Sequence, residues 1–216
     1  EQHEIDTISA WVDAGAPRGN DADMPPRPDF PEGWTYEGGE QDYVFELPIE
    51  YTVAAEGEED YIDFYSDIPW AEDRFAEVLE LRPSDYRVVH HSGAYTVDLP
   101  WGTQVIDGVL HDLDGNSLLR APLPRRPQAE TDEPPETTGR VAQRVFNEVN
   151  LPGSSKLLSY VPGRGVERHR PGTGKRLASD KWIRWTMHYN PIGVEATERS
   201  KLGLWFNTKP VTHEVL

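Results

Sequence analysis

Between residues 4 and 15 the apolar positions recur at helical spacing. Ile5, Ile8, Trp11 and Val12 form one stripe and predict an amphipathic helix. Gly15, followed by Ala16 and Pro17, supplies its stop signal. Residues 19–41 carry neither period; they are rich in Pro, Gly and acids and read as a linker. From residue 42 the period changes to two, in short runs divided by turn residues. "DYVFELPIEYTV", "DYIDFYSDI", "RFAEVLELRP" and "YRVVHHSGAYTVDL" each read as strand. In the third of these, Phe75, Glu77, Leu79 and Leu81 fall on one side, and Ala76, Val78 and Glu80 on the other. That imperfect alternation predicts burial on both faces. "TQVIDGVLHDLDGNSLL" follows, and then "APLPRRPQAETDEPPETTGR", which predicts a surface loop with a mobile tip. "KLLSYVPGRG", "KRLASDKWIRWTMHYNPIG" and "SKLGLWFNT" complete the strands. The pattern predicts an all-β chain, an antiparallel β-sandwich over residues 42–216 behind a short N-terminal helix (1–18) and a linker (19–41).

Composition narrows the chemistry. With 216 residues, the chain is long enough to bury a sizeable core. A net charge of −17 argues against a nucleic-acid partner, because a phosphate backbone needs a basic surface. The absence of cysteine removes disulfides, zinc–thiolate sites, iron–sulfur clusters, thiol nucleophiles and covalently attached haem from these residues. No run approaches the roughly 20 apolar residues of a membrane span, and no signal peptide is visible. The sequence opens without Met and stops on "PVTHEVL"; both ends read as cuts through something longer.

Three histidines form the candidate site. In "KWIRWTMHY", strand geometry puts Ile183, Trp185, Met187 and Tyr189 on one face, expected to be core. His188 falls on the other face, beside the turn "NPIG", and is expected to be reachable. His90 and His91 are adjacent within an apolar run. Successive side chains of a regular strand point to opposite faces, so both can serve one metal only if the strand bends or bulges, or if the rings use different nitrogens. "SGA" directly after the pair makes a bulge plausible. Three neutral imidazoles suit copper or zinc and leave positions open for water or a small ligand. Acidic neighbours would fix the tautomers. The alternative is that each histidine is structural, its ring bonded to a separate backbone group.

"LELRPSDYRVVHH", "YVPGRG…PGTGKRL" and "WTMHYNPIGVEATERSKLGLWF", in that order, resemble the N-terminal copper-binding domain of the copper type II, ascorbate-dependent monooxygenases, over roughly residues 42–216. The resemblance is greatest to bacterial forms in which that domain follows a c-type cytochrome. It implies a jelly-roll-like sandwich binding one copper ion through His90, His91 and His188. That copper relays electrons to a second copper, where oxygen and substrate react. The partners it implies are a downstream second copper domain and an upstream cytochrome, in a periplasmic or extracellular homo-oligomer or larger assembly. The family's second site uses a His-x-His pair and a Met, and nothing in this sequence matches it; Met24 lies in the linker and Met187 on the apolar side of its strand. "EIDTISAWVDAGAPRGND" resembles the last helix of a c-type cytochrome domain, against the alternative of a helix packed on the sandwich. Haem is expected only if a domain outside this chain carries it. Without the oxygen-activating half, the alternative function is a structural or protein-interaction sandwich module.

The remaining candidates read as structural. "HDLDGN" around His111 lacks the carboxylate spacing of a calcium loop and reads as a turn. His169 is expected in an exposed loop, and the glycine-rich "GRG" and "GTGK" do not have P-loop spacing. His3 and His213 have no partner in sequence. Ser92 lacks a nucleophile-elbow pattern, and "EGEED" reads as a solvated turn.

Overall fold

A computed structural model describes residues 1–26, 33–119 and 153–216; the predicted loop of residues 121–140 and part of the predicted linker lie outside the described residues. The chain divides into two compact units, Glu1–Gly33 and Trp34–Leu216.

In the first unit, α1 spans Gln2–Asp13, and a short 3₁₀ turn covers Asp21–Asp23. The helix starts and ends two residues earlier than the 4–15 its stripe predicts. Gly15, with φ of 86°, ends it, because its amide bonds to Val12 O while the Ala16 amide reaches back to Trp11 O. That pair of bonds satisfies carbonyls that the helix leaves free. No residue of α1 is buried.

The second unit holds the strands β1 (Tyr43–Glu46), β2 (Tyr51–Val53), β3 (Asp60–Asp67), β4 (Arg74–Arg82), β5 (Val89–Val97), β6 (Thr103–Ile106) and β7 (Val109–Asp112). After the undescribed stretch come β8 (Ser155–Tyr160), β9 (Val166–Arg168), β10 (Thr173–Leu177), β11 (Trp182–Tyr189), β12 (Ala196–Glu198), β13 (Lys201–Phe206) and β14 (His213–Glu214). One sheet runs β1-β13-β4-β10-β14, with β9 also on β4; the other runs β3-β11-β5-β8. All ladders are antiparallel except β10–β14. The main strands β1, β3, β4 and β5 alternate between the sheets, β8 lies beside β5, and β10, β11 and β13 alternate again, which is the strand order of a jelly roll. Two further ladders, β2–β12 and β6–β7, are two-stranded. The β6–β7 hairpin turns on Asp107-Gly108, both at positive φ, as a two-residue turn that follows the sheet twist requires.

The core lies between the sheets. Leu79, Leu81, Leu202 and Leu204 meet Phe64, Ala94, Leu158 and Trp185 in one buried cluster. Ile183, Trp185, Met187 and Tyr189 all point into it, so β11 alternates as predicted. Trp185 is fully buried yet satisfied, its Nε1–H donating to Ser66 Oγ at 2.9 Å. Residues 34–41, read from sequence as the end of the linker, lie against the sandwich. Trp34 and Tyr36 pack edge-on to Trp205, and the amides of Thr35 and Tyr36 donate to the buried Glu80 carboxylate at 2.7–3.0 Å. Gly203 leaves room for this contact, because a Cβ there would stand 2.8 Å from the Trp34 ring.

Candidate metal centre

The central strand of the four-stranded sheet is β11, flanked by β3 and β5. On its outer face His188 pairs with His91 of β5 and Tyr61 of β3. The next residue, Tyr189, pairs with Val89, so the register slips and His90 is left over. This is the bulge that adjacent histidines require. In an unbroken strand Val89 and His91 would share a face. With one extra residue inserted, Val89 stays in the core while His90 and His91 both turn outward.

The rings then converge. His188 lies 4.4 Å from His91 and 4.7 Å from His90, centroid to centroid. His188 Nδ1 is 2.8 Å from His91 Nε2 and 3.3 Å from His90 Nδ1. One nitrogen from each ring falls within 4.8 Å of the others, so the triad can hold a metal ion. Metal–nitrogen bonds of about 2.0–2.1 Å at tetrahedral to trigonal angles need nitrogens about 3.3–3.6 Å apart. The His90–His188 pair already meets that spacing, and the His91–His188 pair has to open slightly.

Sequence reasoning missed Glu59. His188 Nε2–H donates to Glu59 Oε2 at 2.8 Å. A carboxylate there fixes the proton on Nε2 and leaves the Nδ1 lone pair toward the other two rings. "EGEED" is therefore more than a solvated turn, although Glu59 itself is half exposed. Tyr61 was missed as well. Its ring stacks on His188 at 3.8 Å, and the two planes are inclined by 19°. His188 is consequently buried at 3% exposure, whereas its place at a strand end implied a reachable ring; His90 and His91 are the exposed members. Although His91 is exposed as a residue, the rings packed against its imidazole partly desolvate it; that, and secondly the positive charge its neighbours His188 and His90 would carry, hold it below its usual range. A neutral ring is the form that binds metal.

Among the described residues, the other histidines of the second unit are not part of this cluster. His111 Nδ1 is bonded to the Val109 carbonyl at 3.0 Å, the structural arrangement that the triad does not show. Asp112 accepts from the amides of Asp114 and Asn116 and from the Asn116 side chain, so "DLDGN" is a turn, as read. His169 is half-buried rather than exposed, because its amide is tied to Glu77 O and its Nε2 is covered. His3 lies on α1 and His213 on β14, both exposed. Ser92 is buried between Met187 and Tyr160, with no partner for its hydroxyl among the described residues. Among the described residues no helix is long and apolar enough to cross a membrane.

No protein-family model matches the chain, and no curated protein matches it in sequence.

Proposed function

We propose that the chain is a copper-binding, electron-transferring domain of a copper-dependent monooxygenase-like protein, with His90, His91 and His188 as the ligands of one copper ion. The observation that carries this reading is the bulge at His90, which gives three imidazoles one facing direction where a regular strand would separate them. The donor set supports it: imidazole suits copper, and three ligands leave a position open. Bound copper supplies one-electron redox chemistry. The protein's own contribution is positional. Glu59 holds the His188 proton away from the metal side, Tyr61 covers the ring, and the core face of β11 anchors the strand that carries it. The motif order that resembles the ascorbate-dependent monooxygenases supports an electron-relay role, with a second copper domain and a cytochrome as the partners. The structural-module alternative would be favoured by rings bonded to separate backbone groups, as His111 is; the triad rings instead face one another and Glu59.

The test is elemental analysis of purified protein after copper loading, beside His188→Ala. Copper at one ion per chain, lost in the variant, is the expected result. Zinc in its place redirects the reading to a hydrolytic or structural site. A folded protein that takes up neither metal overturns it.

A further inference from the structure

The outer face of the four-stranded sheet is built in rungs. His91, His188 and Tyr61 form one, Gly93, Thr186 and Asp63 the next, and Tyr95, Arg184 and Tyr65 the third. The first and third rungs carry large side chains. The middle one has none at Gly93 and a short one at Thr186. The result is a hollow of about 180 Å³ between them. His91 and His188 line it and His90 does not, so the third ring stands on the far side of the triad from the hollow. The missing Cβ at Gly93 keeps this floor open. A Cβ there would stand 2.8 Å from the Tyr95 ring, which leans over the hollow, and 3.0 Å from Thr186 Oγ1.

We propose that this hollow binds a small anion, of the size of azide, nitrite or formate, that completes the coordination of the metal held by the triad. The inference rests on the metal reading above and goes beyond it by naming what fills the open position. Charge argues for an anion. Three neutral imidazoles bring no charge to a bound dication, which the Glu59 carboxylate behind His188 compensates only in part, and such an ion is the largest local charge in its site. The two nearest carboxylates are already engaged. Glu59 accepts from His188 Nε2–H. Asp63 Oδ2 accepts from Arg184 Nε at 3.0 Å and Nη2 at 2.6 Å. Arg184 is 2% exposed and held in place by that pair, so it closes the far wall. Thr186 Oγ1, which donates to Gly93 O at 3.4 Å, and the Tyr95 hydroxyl border the hollow, and each can turn to donate to a ligand's outer atoms. Size argues for a small one, because sites for drug-sized molecules run from about 300 Å³ upward.

The experiment uses the full chain loaded with copper(II) and titrated with azide, read by the azide-to-copper charge-transfer absorption and by electron paramagnetic resonance. A saturable band in the unmodified protein is expected. In Gly93→Ala the azide dissociation constant should rise roughly tenfold or more, with copper content unchanged. Thr186→Val, nearly the same size and without the hydroxyl, should weaken azide while leaving the circular dichroism spectrum intact, and serves if Gly93→Ala does not fold. A protein that holds copper but gives no azide band overturns the pocket and leaves the metal reading standing. Azide affinity equal in both variants and the unmodified protein does the same. A folded protein that takes up no copper removes the metal reading, and the pocket with it.

Discussion

Deleting His90 separates the bulge from the fold. On either side of it the ladder is regular: His188 pairs with His91, Tyr189 pairs with Val89, and the Asn190 amide donates to Val88 O at 2.9 Å. Removing the extra residue makes Val89 and His91 consecutive opposite two consecutive partners, so neither changes face. His90 is exposed, and its loss uncovers no core. The deletion is therefore expected to shift the melting temperature by less than about 4 °C, equivalent to about 1 kcal/mol for a chain of this size. Metal binding should respond far more. Structural zinc sites with four ligands bind with about 10–16 kcal/mol, or about 2.5–4 kcal/mol per ligand, so losing one imidazole should weaken binding roughly 10²–10³-fold. His90→Ala keeps the bulge and should lose the same affinity. The assay is competition for copper against a chromophoric chelator, beside thermal melts of the apo forms. A deletion that unfolds the protein would refute the register argument. One that leaves affinity unchanged would refute His90 as a ligand.

Two shorter predictions concern the apo protein. His91 titrates below the ordinary imidazole value of 6.5 because burial and its neighbours oppose its charge. The unfolded chain then binds more protons as pH falls through 6.5, so stability drops from pH 7 toward 5. His91→Asn should flatten that part of the melting-temperature profile, and an unchanged slope would assign it elsewhere. Glu80→Ala leaves the amides of Thr35 and Tyr36 without their acceptor. Faster hydrogen exchange across residues 34–41, with the β11 amides still protected, is expected; uniform loss of protection would contradict it.

Much of this was legible in the sequence because it depends on local period. The inward set of β11 follows from alternation alone, and so does the expectation of a bulge as one way to turn two neighbours outward. What stayed hidden depends on which strands pair. Glu59 and Tyr61 reach His188 because β3 lies beside β11, and nothing near residue 188 announces a strand formed so much earlier in the chain. Trp34 and Tyr36 sit among Gly, Pro and acids that locally read as linker; their role appears only once Trp205 and Gly203 of β13 are beside them. The run "DYVFELPIEYTV" gives two strands in different ladders, β1 and β2, with Pro48 between them, since proline cannot donate to a ladder. His169 was misjudged because a loop gives no sequence sign of what folds over it.

His188 and Tyr189 are neighbours on opposite faces of β11, and each is bonded to a glutamate, which permits a sharp test of scaffold against site. Tyr189 OH donates to Glu198 Oε2 at 3.0 Å, while Ser200 Oγ and the Ser84 amide donate to Glu198 Oε1. Glu198 is fully buried, and burial pushes its carboxyl up in spite of those donors and the Ser200 amide. A raised folded value means that stability falls as pH rises through the interval above 4.5, a slope that Glu198→Gln should remove. Glu198→Ala leaves these donors unanswered in the core and should cost about 3–5 kcal/mol. Glu59 is half exposed, and Glu59→Gln should cost little stability. Its effect belongs to the tautomer of His188, and copper affinity should fall by about tenfold, the lower end expected for a partner behind a metal ligand. The two substitutions should therefore dissociate. Glu198→Ala lowers the melting temperature and leaves the copper affinity of the folded protein within about threefold, and Glu59→Gln does the reverse. The double variant should show the sum of both. If Glu198→Ala weakens copper binding as much as Glu59→Gln does, the core face transmits to the site, and the picture of a rigid strand serving two independent faces fails.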